Sequence, residues 1–122
     1  MNAHEKVSVR TGIDIVLLDE FQRSLLGGGE SFRRRLFHPS ERVEAPPERL
    51  AGIFAAKEAA FKALGLPRGD WHSVEVKHAP DGRPYLIFSS DFDASRLVSC
   101  DVSISHVGGM IVAVVVALLR EP

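Results

Sequence analysis

Residues 47–65 read PERLAGIFAAKEAAFKALG and contain the strongest structural pattern in the chain. Pro47 suits the first turn of a helix, because a residue there needs no N–H donor, and Gly65 suits the position just after a helix ends. The stretch therefore predicts one long helix, Pro47–Leu64, preceded by a loop over Val43–Pro47. Four apolar residues recur at helical spacing and form one stripe along it: Leu50, Phe54, Phe61 and Leu64.

The residues before this helix are typical of a strand and then a broken helix. Val7–Val16 is rich in β-branched residues and predicts a first strand that ends near Leu17. Asp19–Leu26 has a weak helical pattern, the glycine triplet 27–29 predicts a bend, and Glu30–Phe37 resumes as a short basic helix. A strand and two short helices therefore lead into the long helix.

The residues after the long helix predict an antiparallel sheet. Val74–Lys77 and Tyr85–Phe88 flank an Asp-Gly turn dipeptide and form a hairpin. Val98–Ser105 alternates apolar and polar residues, the pattern of a strand with one buried face. The ten apolar residues Met110–Leu119 are too few for a membrane span of about 20 and fit a buried strand. The predicted class is α+β, with a mainly antiparallel sheet packed on one long helix and shorter helices.

Length and composition limit the classes of function. The 122 residues, 45% of them hydrophobic, are enough for one domain over residues 1–122 and too few for two. The net charge of -1 lacks the positive field that nucleic-acid binding uses. A single cysteine excludes an internal disulfide framework, and with no secretory signal or membrane span a cytoplasmic location is predicted. The five histidines have no metal-ligand spacing, which argues against a zinc site.

Asp14 and Glu58 are the carboxylates that could take part in chemistry. Strand alternation turns Asp14 to the face opposite Ile13 and Ile15, where it could be a metal ligand. Alternatively, it caps the following helix or faces solvent. Glu58 and Lys62 are four residues apart on one helix face, and they either belong to a site or form a surface ion pair worth about 0.2–0.5 kcal/mol.

Three further residues have open interpretations. Lys57 lies near the centre of the apolar stripe, where a lysine is expected to seek an anion. The alternative is that its stem packs while its amine reaches water. Ser105 and His106 end a strand before a glycine turn, and they either donate hydrogen bonds to a phosphate or are ordinary surface residues.

Five short motifs follow one another along the chain. The first three are GIDI at 12–15, LAGIFAAKEA at 50–59 and KALG at 62–65. DGRPY at 81–85 and SISH at 103–106 come after them. Together they resemble the signature of the holo-acyl-carrier-protein synthase family of 4′-phosphopantetheinyl transferases, in the family's order and over nearly the whole chain.

The resemblance implies an activity and an assembly. The implied reaction transfers 4′-phosphopantetheine from coenzyme A to a serine of an apo acyl carrier protein and releases adenosine 3′,5′-bisphosphate. The family's fold, Mg²⁺ as cofactor and a homotrimer with active sites between subunits are implied as well. Carriers of fatty-acid, polyketide and peptide synthesis all present such a serine, so the carrier stays open.

The same resemblance assigns roles to residues. Asp14 and Glu58 would hold Mg²⁺, and Lys57 or, as first choice, Lys62 would stabilise developing charge. The serine proton would pass to Glu58 or to a magnesium-bound hydroxide. The implied catalytic residues are therefore Glu58 and Lys62. The implied coenzyme A contacts are Lys57, Lys62, Gly65, Gly82, Arg83, Pro84, Ser105 and His106.

Two positions depart from the family pattern. Glu20 stands where a basic residue is common and would repel an acidic carrier, although the arginine run 33–35 offers a shifted basic surface. Ile53 replaces an arginine that helps to hold the 3′-phosphate of coenzyme A. The segment 43–47 before the long helix also lacks the basic residues often found there, for which Arg42 or Arg49 could compensate. These changes motivate an alternative, a non-catalytic or specialised homologue that binds a partner or a coenzyme A-like ligand without efficient transfer.

Overall fold

The computed structural model describes residues 6–42, 45–89 and 92–121. Within these ranges it is α+β, as the sequence predicts, with single 3-10 turns at Trp71–Ser73 and Ala94–Arg96. None of the helices in the described ranges is long and apolar enough to cross a lipid bilayer. In chain order the elements are β1 (Val7–Leu17), α1 (Leu18–Leu36), α2 (Pro39–Arg42), α3 (Pro47–Leu64), β2 (Val74–His78), β3 (Pro84–Phe88), β4 (Leu97–Val107) and β5 (Met110–Arg120).

The strands form two antiparallel sheets. Strand β5 lies at the centre of the larger sheet, whose order is β1-β5-β4, and β2 pairs with β3 in a separate sheet. In the larger sheet Asp14 is opposite Ala113, and Ser105 is opposite Val112. The predicted antiparallel pairing is therefore confirmed, but it is divided between two sheets.

Helix α3 packs on the inner face of the larger sheet and is buried nearly all round. It contacts β1, β4 and β5, and also β2, α1 and α2. The predicted stripe is only part of its buried surface, in which Leu50 and Phe61 are buried while Phe54 and Leu64 are half-buried. Small residues cover the remaining faces and let neighbouring backbones approach: Ala51, Gly52, Ala55, Ala56, Ala59, Ala60 and Ala63.

The signals predicted at the ends of the helices are confirmed. Pro47 occupies the first turn of α3, and Gly65 ends the helix in the left-handed conformation, with φ 66° and its N–H bonded to the Phe61 carbonyl. The predicted glycine bend is found inside α1, where Gly29 has φ 60° and ψ -150°. Residues 43–44 of the loop predicted before α3 lie outside the described residues.

Strand β1 and helix α3 approach closely at Gly12. A Cβ atom on this residue would lie 1.9 Å from the carbonyl oxygen of Ala59. Because the obstacle is backbone, only the hydrogen of a glycine fits there. The contact brings Asp14, two residues further along β1, to the side of α3 that carries Glu58 and Lys62.

The outer face of the larger sheet is exposed, and it is apolar along β1 and β5 but polar along β4, where Asp101 and Ser103 are opposite Val116 and Val114. Alternation along β1 and β5 turns every second side chain away from α3. Ile13 and Ile15 are 56% and 58% exposed, and Val116 is 44% exposed. The predicted strand Met110–Leu119 is thus confirmed, but it is buried on its inner face only. A continuous apolar surface of this kind is typical of a face that another molecule covers.

We expect Gly12→Ala to force β1 away from α3. The added methyl group would overlap a helix carbonyl, so the free energy of unfolding should fall by about 2–3 kcal/mol, the upper range for overpacking. Gly27→Ala is the matched control, because its Cβ would meet nothing within 4 Å. The control should be neutral or gain up to about 1 kcal/mol of helix propensity. Urea unfolding followed by circular dichroism measures both, and equal stabilities would contradict the close approach.

Candidate active site

Asp14 on β1 and Glu58 on α3 line the same cavity, here called the carboxylate cavity. Its volume is about 480 Å³, and its walls also include Phe54, Glu20 and Arg68. The side chains of Asp14 and Glu58 are 17% and 10% exposed, so both carboxylates are largely withdrawn from water. The fold therefore brings the two candidate metal ligands together from distant parts of the sequence.

Lys62 joins this group from the next turn of α3. Its Nζ donates a hydrogen bond to the Ile13 carbonyl at 2.8 Å and lies 3.4 Å from Asp14 Oδ1. Asp14 sits inside β1 and does not cap α1, whose N-cap is Leu17, so the capping alternative is wrong. The surface-pair alternative is also wrong, because Lys62 pairs with Asp14 across elements instead of with Glu58 along the helix.

Glu58 has a cationic partner that the sequence analysis missed. Arg68, in the loop after α3, donates from Nη2 to Glu58 Oε2 at 3.1 Å. The Arg68 side chain is 71% exposed. No helical or strand period links residues that lie on either side of a helix end, so no sequence pattern indicated this pair.

The carboxylate pair fits a hard divalent cation. Mg²⁺ prefers oxygen ligands, usually takes one or two carboxylates and keeps several waters. Asp14 and Glu58 supply such ligands at the wall of a cavity with open space beside them. Across residues 6–42, 45–89 and 92–121, no group of three or more histidine, cysteine or carboxylate side chains is placed to hold a metal ion. Two carboxylates suit a metal whose other ligands come from water and substrate.

Lys57 does not face the carboxylate cavity. Its side chain is 0% exposed, and its Nζ donates to Glu41 Oε1 at 2.7 Å, to the Leu36 carbonyl at 2.9 Å and to the Trp71 carbonyl at 3.1 Å. An ammonium group has three donors, and protein atoms take all of them. The structure thus corrects two expectations: Lys57 has no donor left for coenzyme A, and its amine does not reach water.

Glu41 is the anion that Lys57 was expected to seek. Glu41 is 4% exposed, and it also accepts the His38 N–H at 2.7 Å and the Val76 N–H at 2.8 Å. Burial lowers the pKa of Lys57, and the charge of Glu41 opposes that shift. The pair joins α2, α3 and β2. A lysine inside an apolar stripe signalled that an anion was needed, but no pattern showed which residue supplies it.

A second cavity contains three of the expected coenzyme A contacts and is here called the histidine cavity. Its volume is about 460 Å³, and Gly82, Pro84 and His106 are among its walls. It has no lining residue in common with the carboxylate cavity. At its exposed rim His106 Nδ1 lies 3.1 Å from Glu48 Oε1.

The remaining expected contacts are not brought into the walls of either cavity. Ser105 is exposed on the face of β4 opposite His106, because adjacent strand residues alternate. Arg83 is exposed at the β2–β3 turn, where its backbone N–H bonds to Asp81 at 3.0 Å. Gly65 acts as the C-cap of α3.

Arg49 and His78 give the histidine cavity its polar character beside Ile53. Burial, aided by the charge of Arg49, lowers the pKa of His78, so this ring is neutral at pH 7. Of the two arginines expected to compensate for the missing basic residues of segment 43–47, Arg49 lines this cavity. Arg42 instead bonds to Glu30 at 2.9 Å on another surface.

A family model described as the 4′-phosphopantetheinyl transferase superfamily matches residues 10–115. The chain belongs to this superfamily. The holo-[acyl-carrier-protein] synthase of Frankia alni is 43% identical to it over 114 residues, covering 89% of this chain and 96% of the relative. The synthase of Frankia casuarinae is 45% identical, with the same coverage of 89% and 96%.

Solved structures of similar transferases confirm the predicted fold. The Helicobacter pylori holo-[acyl-carrier-protein] synthase in complex with coenzyme A superposes with a TM-score of 0.81 at 32% identity, covering 88% of this chain and 98% of that one. The Bacillus anthracis synthase in complex with CoA (3′,5′-ADP) gives a TM-score of 0.76 at 31% identity, covering 96% and 100%. The family expected from the five motifs is therefore confirmed.

In this transferase we expect Lys57→Met to destabilise the fold, because Glu41 would stay buried without its cation. Breaking a buried ion pair in this way costs about 3–5 kcal/mol. Lys77→Met is the control, since that lysine is 42% exposed and 3.8 Å from Glu75, and its loss should change stability by no more than about 0.5 kcal/mol. Urea unfolding at one protein concentration compares them. Equal midpoints would show that the buried pair is not a structural requirement.

Proposed function

We propose that this chain is a holo-[acyl-carrier-protein] synthase, which transfers 4′-phosphopantetheine from coenzyme A to a serine of an apo acyl carrier protein. The proposal rests on the meeting of Asp14, Glu58 and Lys62, two carboxylates in one cavity with a lysine bonded beside them. Relatives at 43% and 45% identity have this name, which supports the same reaction here.

The reaction makes one bond and breaks one. The serine Oγ bonds to the phosphorus that carries the pantetheine arm, and the bond from this phosphorus to the bridging oxygen breaks. The leaving group is adenosine 3′,5′-bisphosphate, and the serine proton passes to a base. Glu58 is the candidate base, because its carboxylate lines the cavity in which the reacting phosphate would lie. Lys62, 43% exposed beside Asp14, brings positive charge to the oxygens that gain negative charge.

Asp14 and Glu58 would hold Mg²⁺. When bound there, the ion would supply positive charge that offsets the negative charge of the phosphates. The protein holds the carboxylates of Asp14 and Glu58 in fixed positions, because β1 and α3 pack backbone against backbone at Gly12. The apolar wall formed by Phe54 and its neighbours limits water around the charged groups, which strengthens their interactions.

The nucleotide end of coenzyme A is assigned to the histidine cavity. Gly82, Pro84 and His106 are the expected contacts that line it. Arg49 lines the same cavity and takes over the 3′-phosphate contact that Ile53 cannot make. Coenzyme A recognition is therefore proposed to use an arginine from the first turn of α3.

The enzyme is proposed to be a homotrimer whose active site is shared between subunits. Within one chain the carboxylate cavity and the histidine cavity have separate walls, although both are assigned to one coenzyme A molecule. In the trimer a neighbouring copy supplies the second cavity. The exposed apolar sheet face supports this assembly, since covering Ile13, Ile15 and Val116 removes apolar surface from water.

The carrier protein is proposed to dock along the second half of α1. Phe32 lines the carboxylate cavity, and Arg35 lies over its ring at 5.7 Å, so the last residue of the arginine run 33–35 reaches the rim of the site. Glu20 lines the same cavity and repels acidic carrier groups from the first half of α1. An acidic carrier segment is therefore directed towards the arginines.

Incubation with coenzyme A, Mg²⁺ and a panel of apo carriers, followed by intact mass spectrometry, tests the reaction. We expect the phosphopantetheine mass gain with Mg²⁺ and none without it. Glu58→Gln keeps the size of the side chain but removes its charge, and should lower the transfer rate by about 100-fold or more with unchanged circular dichroism. Glu121→Gln removes a carboxylate that pairs loosely with Arg10 at 3.9 Å, and should be fully active.

No mass gain on any carrier, while an authentic transferase modifies the same panel, would replace this proposal with the non-catalytic homologue. Near-normal turnover of a folded Glu58→Gln variant would overturn the role of Glu58 alone.

We expect Val116→Asp to dissociate the trimer, because it places a second carboxylate opposite Asp101 on the face that also carries Ile13 and Ile15. Light scattering coupled to size-exclusion chromatography should show three chains for the wild type and one for the variant. Leu26→Asp is the control, since Leu26 is 83% exposed on α1 and lies off the sheet. A wild-type monomer, or a trimeric Val116→Asp variant, would contradict the proposed interface.

A further inference from the structure

The bond from Arg68 occupies a Glu58 oxygen that a metal ion would also use. Arg68 Nη2 lies 3.1 Å from Glu58 Oε2, and both residues line the carboxylate cavity. Glu58 is 10% exposed and would be a nearly buried charge without a cation beside it. The two lysines of α3, Lys57 and Lys62, are each paired with another carboxylate. Arg68 is therefore the cation that balances Glu58.

The ion pair between Arg68 and Glu58 is weak enough for another cation to replace Arg68. Arg68 is 71% exposed, and an ion pair at the solvent boundary changes a binding constant by about fivefold at most. Its backbone lies between the end of α3 at Leu64 and the 3-10 turn at Trp71–Ser73, outside any helix or strand. The guanidinium can turn from the carboxylate into the cavity while α3 and Glu58 stay in place.

We propose that Arg68 changes partner during binding: it neutralises Glu58 Oε2 in the metal-free enzyme and turns to a phosphate of coenzyme A once a divalent cation takes Glu58. A divalent cation has the larger charge, which sets the direction of the exchange. The guanidinium fork matches phosphate oxygens as well as it matches a carboxylate. The inference rests on the proposed function, because it requires the metal and coenzyme A to meet in the carboxylate cavity.

The proposed exchange predicts that one substitution of Arg68 changes the affinities for Mg²⁺ and for coenzyme A in opposite directions. Arg68→Gln removes the competitor for Glu58, so Mg²⁺ alone should bind about three- to fivefold more tightly. It also removes a phosphate partner, so coenzyme A at saturating Mg²⁺ should bind about fivefold more weakly or worse. Arg68→Lys keeps the charge but not the fork, and should restore the Mg²⁺ affinity and only part of the coenzyme A affinity.

Trp71, the single tryptophan of the sequence, reports on the same loop. Its ring stacks on Phe54, with centroids 5.1 Å apart, and Phe54 is a wall of the carboxylate cavity. Arg68 lies three residues before this ring, so we expect its departure from Glu58 to change the ring's surroundings. Mg²⁺ should therefore alter the tryptophan fluorescence of the wild type, and alter it less in Arg68→Gln.

Calorimetric titration with MgCl₂, then with coenzyme A at saturating Mg²⁺, measures both affinities. Arg10→Gln is the control, because it removes the same charge from a side chain 51% exposed and paired with Glu121 at 3.9 Å. Because salt screens this exposed charge, the Kd values of Arg10→Gln for Mg²⁺ and for coenzyme A should stay within about twofold of the wild-type values. Opposite changes in Arg68→Gln alone would support the exchange.

Three results would overturn the proposed exchange. Wild-type affinities in Arg68→Gln, or both affinities weakened together, would show that Arg68 does not change partner, while the proposed function would stand. A wild-type protein that binds neither Mg²⁺ nor coenzyme A would overturn the proposed function, and this inference with it.

Discussion

At Gly12 the backbone of β1 meets the backbone of α3, and no side chain fits between them. A Cβ atom there would lie 1.9 Å from the Ala59 carbonyl oxygen. This approach sets Asp14 beside Lys62 and at the cavity of Glu58, which precedes Ala59 in the helix. Because β1 is paired with β5 along its whole length, the sheet holds the approach in place. The chemistry of the site thus depends on a packing contact that contains no functional group.

Much of the fold could be predicted because its signals are local. Pro47 and Gly65 bound α3 at the observed residues, and the Asp-Gly dipeptide identifies the β2–β3 hairpin. Each of these signals lies within one turn or one strand. The sheet order is different, since β5 lies between β1 and β4 while β2 and β3 pair separately. Packing against α3 determines that arrangement, and no sequence period records which distant strands become neighbours.

The site was predictable to the extent that its residues lie in motifs. Asp14 and Glu58 were assigned from motifs, and the fold brings them together. Lys57 lies in a motif as well, but it occupies a stripe position that three different partners could satisfy. Water, a ligand phosphate or a protein carboxylate would each suit a lysine there. The choice depends on α2, which is four residues long and places Glu41 beside Lys57. Such a short helix has no usable periodicity, so its role appears only in three dimensions.

Lys57 and Glu58 are adjacent, yet the helix separates them by about 100° and gives them different surroundings. Any rotation of α3 that moved Glu58 would pull Lys57 from its three acceptors, and leaving a buried charge unpaired costs several kcal/mol. The contact of Glu58 with Arg68 is exposed at the arginine and correspondingly weak. The buried pair of Lys57 and Glu41 therefore fixes the rotation of α3 about its own axis. This pair lies on the side of the helix away from the carboxylate cavity. The weak pair within that cavity leaves Glu58 held in position but able to accept a different cation.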